Sequence, residues 1–337
     1  MSGAEVTSRR GKADSRLVQT MVSMAGVSSA EGIVREGGEP RRVLSDITLR
    51  VERAQSWGIT ARTAYEIRLL LEIIGNIRPY DGGKCVLAER GMLRRKRVIQ
   101  PHVFYIGGTD MLYGSMNVLE FLMFATARLR EEKLSMQENL FEFLIAIGLS
   151  DISLTAVKWL SAEEKAVVTL IAAAYSASAM IVFNLPEAAF DARLRSAIAQ
   201  TATLIMRRGK ALILGTLDCA LIDEACTHTA FIADGRMLYQ GTAEALKQEY
   251  DRCVLILDDA DIEDLRRKLD AVLDGSGLSA KDGCLRVTAS DDAQTPALYR
   301  RIAEAGVLPH AIRMHEKTVN YAYEELVRRH DLSEPLL

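Results

Sequence analysis

The run Ala179-Met180-Ile181-Val182-Phe183 is apolar without a break and stops at Asn184. So short an apolar block, followed by Pro186, reads as a strand buried in a sheet of the α/β kind. The block ALILG (211–215) repeats the pattern, with a helical segment expected over 188–207 between the two. In such sheets ligands sit at the carboxyl ends of the strands, where a strand often delivers a carboxylate. Here the end reads Asn184-Leu185-Pro186-Glu187, and an acid closes the stretch at Asp191. An amide and a leucine stand where two acids could have been, so the edge is either an active site or the remains of one.

The rest of the chain extends this reading. Alternation over VLSDITLRVE (43–52) predicts a half-exposed strand, and SWGIT (56–60) a buried one. Ile67, Leu70, Leu71 and Ile74 recur at helical spacing within 64–76. VFYIG (103–107) is another strand, and two amphipathic patterns near 116–129 and 136–147 form a helical insert. A helix follows from Ala162, with Ser161 as N-cap and Glu163 and Glu164 in a first turn that favours acids. A helix over 218–226 leads to the strands TAFIA and RMLYQ, joined by the turn pair Asp234-Gly235. After Tyr250 the pattern restarts. Strands at 253–257, 284–289 and 310–314 alternate with helices at 261–273, 295–305 and 317–329, and GSGLSAKDG (275–283) reads as a loop. That restart predicts a small α+β domain over 251–330, behind a larger unit over 19–250 and a tail at 1–18.

Composition narrows the function. The chain has 337 residues, 49% apolar and 26% charged, with a net charge of −3. No field of one sign argues for nucleic acid, and the basic run Arg94–Arg97 reads as a solvated loop. The five cysteines fit neither a disulfide framework nor paired zinc knuckles, and scattered thiols suit a reducing compartment. No apolar segment reaches the roughly 18–20 residues of a membrane span. The first residues lack the apolar core of a secretory signal.

A phosphate-binding loop between strand and helix would read G-x-x-x-x-G-K-[ST]. The stretch in that place reads Gly58-Ile59-Thr60-Ala61-Arg62-Thr63-Ala64-Tyr65-Glu66-Ile67. The expected topology is right and the chemistry is missing. Further landmarks follow in order: FYIGGTDMLYGSMNVLEFLMF, WLSAEEKAVVTLIAAAY, AMIVFNLPEAAFD and LILGTLDCALIDEACTHTAFIADGRMLYQGT. Together they resemble the ATP-binding subunits of ABC transporters over about residues 20–248. The tail ending KTVNYAYEELVRRH is similar to the small C-terminal domain on subunits of drug- and peptide-export ABC transporters. The resemblance implies a P-loop NTPase-like nucleotide-binding domain, with a mixed sheet and a helical subdomain near 113–160, followed by the small α+β domain.

Under this resemblance the phosphate-loop lysine falls at Glu66 or, one residue on, at Ile67. The loop glycines fall on Ala61, Thr63 or Ala64, and Tyr65, after Gly58. The residue that would hold magnesium falls at Ile67 or Arg68, and the γ-phosphate-sensing glutamine at Gly108. The signature reads Leu160-Ser161-Ala162-Glu163-Glu164. The metal-organising Asp and general-base Glu fall at Asn184 and Leu185, and the switch histidine at Leu217. Ser161, Pro186 and the inter-subunit Asp191 match the family pattern. The segment GIVREGGEPRRVL offers no adenine-stacking aromatic. Phosphoryl transfer rests on positioning and charge cancellation. A leucine neither orients water nor donates to phosphate. A carboxylate about 4 Å from a phosphate charge costs roughly 4 kcal/mol at an effective dielectric near 20. The departures imply little or no hydrolysis, no catalytic residue and no metal, with ATP and Mg²⁺ as cofactors only should the fold retain binding. The implied partners are an ABC membrane (permease) subunit and a second ATP-binding subunit, as a homodimer or a heterodimer with a competent one. The implied location is the inner face of the cytoplasmic membrane. A divergent ATPase active only as a heterodimer is the alternative, and a free-standing scaffold a third reading.

Overall fold

A computed structural model describes residues 20–30, 32–33, 41–87, 90–91, 102–108, 113–127, 133–273, 277–281, 283–289 and 294–333. The tail at 1–18 and the basic run Arg94–Arg97 lie outside these residues. So does most of the segment read for an adenine-stacking aromatic.

The first elements are β1 (Thr20–Ser29), β2 (Ile47–Glu52), β3 (Ser56–Ala61), helix α1 (Ala64–Ile74), β4 (Lys84–Leu87) and β5 (Val103–Ile106). The insert supplies α2 (Val118–Thr126) and α3 (Lys133–Ala146). Then come α4 (Ala162–Tyr175), β6 (Met180–Asn184), α5 (Ala192–Arg207), β7 (Ala211–Gly215) and α6 (Cys219–Ala225). The larger unit closes with β8 (His228–Ala233), β9 (Arg236–Thr242) and α7 (Ala243–Tyr250).

The central sheet runs in the order β9-β8-β3-β7-β6-β5, parallel except for the β8–β9 hairpin. Side chains alternate across its faces, as a pleated strand requires. Ile181, Phe183, Leu212 and Leu214 pack with α4, α5 and the insert. Met180, Val182, Ala211 and Ile213 pack with α1 and the antiparallel sheet built on β1, β2 and β4. Burial on both faces is why β6 and β7 carry no polar residue before their last positions.

The smaller unit has strands β10 (Cys253–Asp258), β11 (Leu278–Lys281), β12 (Cys284–Thr288) and β13 (Ala311–Met314), with helices α8 (Ile262–Leu273) and α9 (Thr295–Glu304). Its antiparallel order, β11-β12-β10-β13, with the helices between strands, is the split β-α-β arrangement of ferredoxin-like domains. Residues 278–281, expected as loop, form the short edge strand β11. The last helix, α10 (Val319–Ser333), turns back onto the larger unit, where Val319, Ala322, Tyr323 and Leu326 join the main core. Tyr323 stacks on Phe231 of β8 with centroids 4.6 Å apart.

Candidate functional site

The carboxyl ends of β3, β7 and β6 line up in register, with Gly215 beside Ile59 on one side and Asn184 on the other. This is where the sheet would present a ligand site, and the N-terminus of α1 points to it. Gly58, expected in a binding loop, lies inside β3 instead. A Cβ there would come within 2.8 Å of Ile222, so close helix–strand packing requires the glycine. The strand continues to a buried Ala61, and only Arg62 and Thr63 separate it from α1. Two residues cannot wrap a phosphate.

The helix end is also chemically satisfied. Thr63 is the N-cap of α1, and it forms a capping box with Glu66. One carboxylate oxygen of Glu66 accepts from the Thr63 N–H at 3.2 Å and from the Thr63 hydroxyl at 2.8 Å. The other accepts from the Gly235 N–H, in the β8–β9 turn, at 2.8 Å. Glu66 is only 7% exposed. The sequence led us to expect an acid repelling a phosphate; it is instead a buried tie between the helix and the hairpin. Arg62, the cation nearest this end, pairs with Asp234 at 3.3 Å and with Asp331 of α10. Ile67 is fully buried.

At the strand ends only part of the polar capacity is used, since the buried Asn184 Oδ1 has no hydrogen-bond partner. Asn184 is buried, and its amide donates to the Arg68 carbonyl at 3.1 Å and to the Tyr105 hydroxyl at 2.7 Å. Burial holds Tyr105 above the ordinary phenol range, against the opposing effect of that bond. Leu185 is half-buried against the core. Leu217 is 43% exposed, and its N–H donates to the Pro186 carbonyl. Gly108 is exposed with open space around it. Glu187 lies ahead of α5, which starts later than the expected 188, and pairs with Arg68 at 2.6 Å. The helix starts only at Ala192 because Asp191 takes the N-cap, accepting from the Leu194 N–H at 2.8 Å.

The signature positions lie at the start of α4. Ser161 and Glu164 form a second capping box there. Ser161 and Ala162 are exposed and Glu163 half-exposed. Glu164 is shared with Arg193 at 3.1 Å, and Arg193 also holds Asp151 at 2.7 Å, which lowers the Asp151 carboxyl below its usual range. Glu163 and Glu164 thus differ, since Glu164 shares the Arg193 guanidinium with Asp151 within the chain. The capping box at 63–66 was missed in the sequence; the spacing Thr-x-x-Glu ahead of an apolar helix was the signal that could have found it. Among the described residues no cluster of metal-ligating side chains occurs.

No family model matches the chain. The Nod factor export ATP-binding protein I of Bradyrhizobium diazoefficiens is 23% identical over 241 residues, spanning 69% of this chain and 76% of that protein. The methionine import ATP-binding protein MetN of Symbiobacterium thermophilum is 23% identical over 233 residues, spanning 66% and 67%. Among solved structures, cbiO1 of Clostridium perfringens, part of an ABC transporter complex, superposes with a TM-score of 0.55 at 13% identity, covering 76% of this chain and 97% of that one. A dimeric ATP-binding cassette bound to ADP and phosphate gives 0.52 at 16% identity, covering 66% and 98%. The fold is that of an ABC ATPase, and the relatives support kinship with ABC transporter ATP-binding subunits. No helix among the described residues is long and apolar enough to cross a membrane.

Proposed function

We propose that this chain is an ABC transporter ATP-binding-subunit-like protein that does not hydrolyse ATP and serves as the structural or regulatory half of a transporter, of the drug- or peptide-export type. One observation carries the reading. The place of the phosphate loop is a two-residue junction whose helix end is closed by the buried Glu66 carboxylate. A triphosphate entering there would displace that carboxylate or face it, and would meet an arginine already ion-paired to two acids. At the strand ends Asn184, Leu185 and Leu217 supply neither a base for water nor a donor for a γ-phosphate. ATP and Mg²⁺ do not fit these residues, and no catalytic step is assigned to them.

The partners follow from the same reading: a permease subunit and a second ATP-binding subunit, at the inner face of the cytoplasmic membrane. Tyr113 and Phe124, 41% and 51% exposed and packed together at 4.8 Å, offer the apolar contact that a permease helix would use. The test is magnesium-dependent ATP hydrolysis by the purified chain. No turnover is expected; robust turnover lost on substitution of Ser161 and Asp191 would overturn the reading. A second reading has its own support. The α4 end is exposed at Ser161 and Ala162, so it could face a competent partner's nucleotide in a heterodimer. Hydrolysis by the co-purified pair, lost on Ser161 substitution, would favour it.

A further inference from the structure

The smaller sheet ends at β13, which pairs with β10 on one side and, among the described residues, with no strand on the other. His315 donates its N–H to the Val254 carbonyl, so the antiparallel ladder turns the main-chain groups of Ala311 and Arg313 to β10 as well. The N–H and C=O groups of Ile312 and Met314 then point away from the sheet, where another strand can take them. Beside that edge runs a mainly apolar trough of about 500 Å³, lined by Ile312 and Met314 with Pro296, Tyr299 and Ala303 of α9. Tyr299 is 52% exposed and Met314 78%.

Proteins ordinarily blunt an open edge with a bulge, a proline or a charge. The pairing of β13 with β10 has no bulge, and the strand has no proline. Its one charge, Arg313, is held by Asp258 of the neighbouring strand at 2.8 Å. The sequence of the strand says what fits. Laid antiparallel on a second copy with Arg313 at the two-fold axis, Ile312 meets Met314 of the second copy, and His310 meets its Glu316. Apolar side chains then face each other in the trough, and an imidazole faces a carboxylate at each end. The two Arg313 side chains meet at the axis, but each brings its own Asp258, so the axis is neutral. A slip of this register sets Met314 against His310 or Ile312 against Glu316 and loses the match.

We infer that β13 is a self-pairing strand, through which two copies of this chain join their smaller sheets edge to edge. The contact lies in the smaller unit and does not depend on nucleotide at the central sheet.

The test is sedimentation equilibrium of the full chain at high micromolar concentration, with diamide cross-linking of a cysteine placed at the axis. Wild type should sediment as a dimer. Met314→Lys, at a position exposed enough to spare the fold, should weaken the dimer at least about tenfold. Ala162→Trp, at the exposed start of α4, should not. Opposed residues of a non-hydrogen-bonded antiparallel pair have Cα atoms about 4.5 Å apart, within disulfide reach. Arg313→Cys should therefore cross-link between copies, while Arg267→Cys, on the exposed face of α8, should stay at the wild-type background. A monomeric wild type overturns the proposal. So does a dimer that Met314→Lys leaves unchanged, or equal cross-linking by Arg313→Cys and Arg267→Cys.

Discussion

Helices α1 and α4 begin with the same device in two different settings. Thr63-Ala64-Tyr65-Glu66 and Ser161-Ala162-Glu163-Glu164 are both capping boxes, and both occupy positions that the family resemblance assigns to nucleotide. At α1 the glutamate is buried and reaches past its own helix to Gly235. At α4 the glutamate stays nearer the surface and is shared with Arg193, while the cap residues Thr63 and Ser161 are both exposed. The local code is one and the same. The tertiary setting buries one glutamate against the hairpin and leaves the other near the surface.

Substitutions can break that contrast. Glu66→Ala would strand the buried Gly235 N–H and remove the capping box at Thr63, so we expect a loss of about 2–3 kcal/mol in urea unfolding. Gly235→Ala tests the other end of the tie. Its φ of +77° and a Cβ 2.4 Å from the Val43 carbonyl oxygen predict a loss of about 2 kcal/mol. Glu164→Ala should cost only about 0.5–1 kcal/mol, because water can replace the cap bond. Equal losses for Glu66→Ala and Glu164→Ala would remove the distinction between a buried glutamate and one near the surface.

The far end of α4 gives a pH-dependent test of intermediate size. Lys210, 8% exposed, donates to the carbonyls of Ala173 and Ser176, and burial lowers its amine to about 8, with the Arg208 charge adding to the effect. From about 8 to the ordinary 10.5 the unfolded chain holds a proton that the folded chain lacks, so this group's contribution to stability rises with pH across that window. Below about pH 8 the charged amine is retained at a cost. Two thiols act in the opposite sense: buried Cys85 and half-buried Cys219, pushed up to about 12, lose stability as pH rises from about 9. The readout is therefore the difference between wild type and Lys210→Met. Relative to the variant, wild type should gain about 1–2 kcal/mol between pH 8 and 10.5. A pH-independent difference would mean that Lys210 titrates as if exposed.

The parts of the fold legible in sequence are those with uninterrupted period or composition. The apolar blocks at 179–183 and 211–215 stood out because both faces of β6 and β7 are buried. Strand β1 was missed because two register shifts, at Thr20/Val22 and Met24/Val27, break its alternation. Strand β11 was missed because Leu278-Ser279-Ala280-Lys281 is a short, polar edge. At the candidate site, residue identities gave the missing base and the missing donor. They could not give the role of Glu66, because its second partner, Gly235, lies 169 residues away in the chain.

The most direct test of the closed α1 end is equilibrium titration of the purified chain with a fluorescent ATP analogue, with and without Mg²⁺. The account predicts no saturable binding up to millimolar nucleotide. Saturable micromolar binding would contradict it, because the Glu66 carboxylate would then have yielded its place to phosphate.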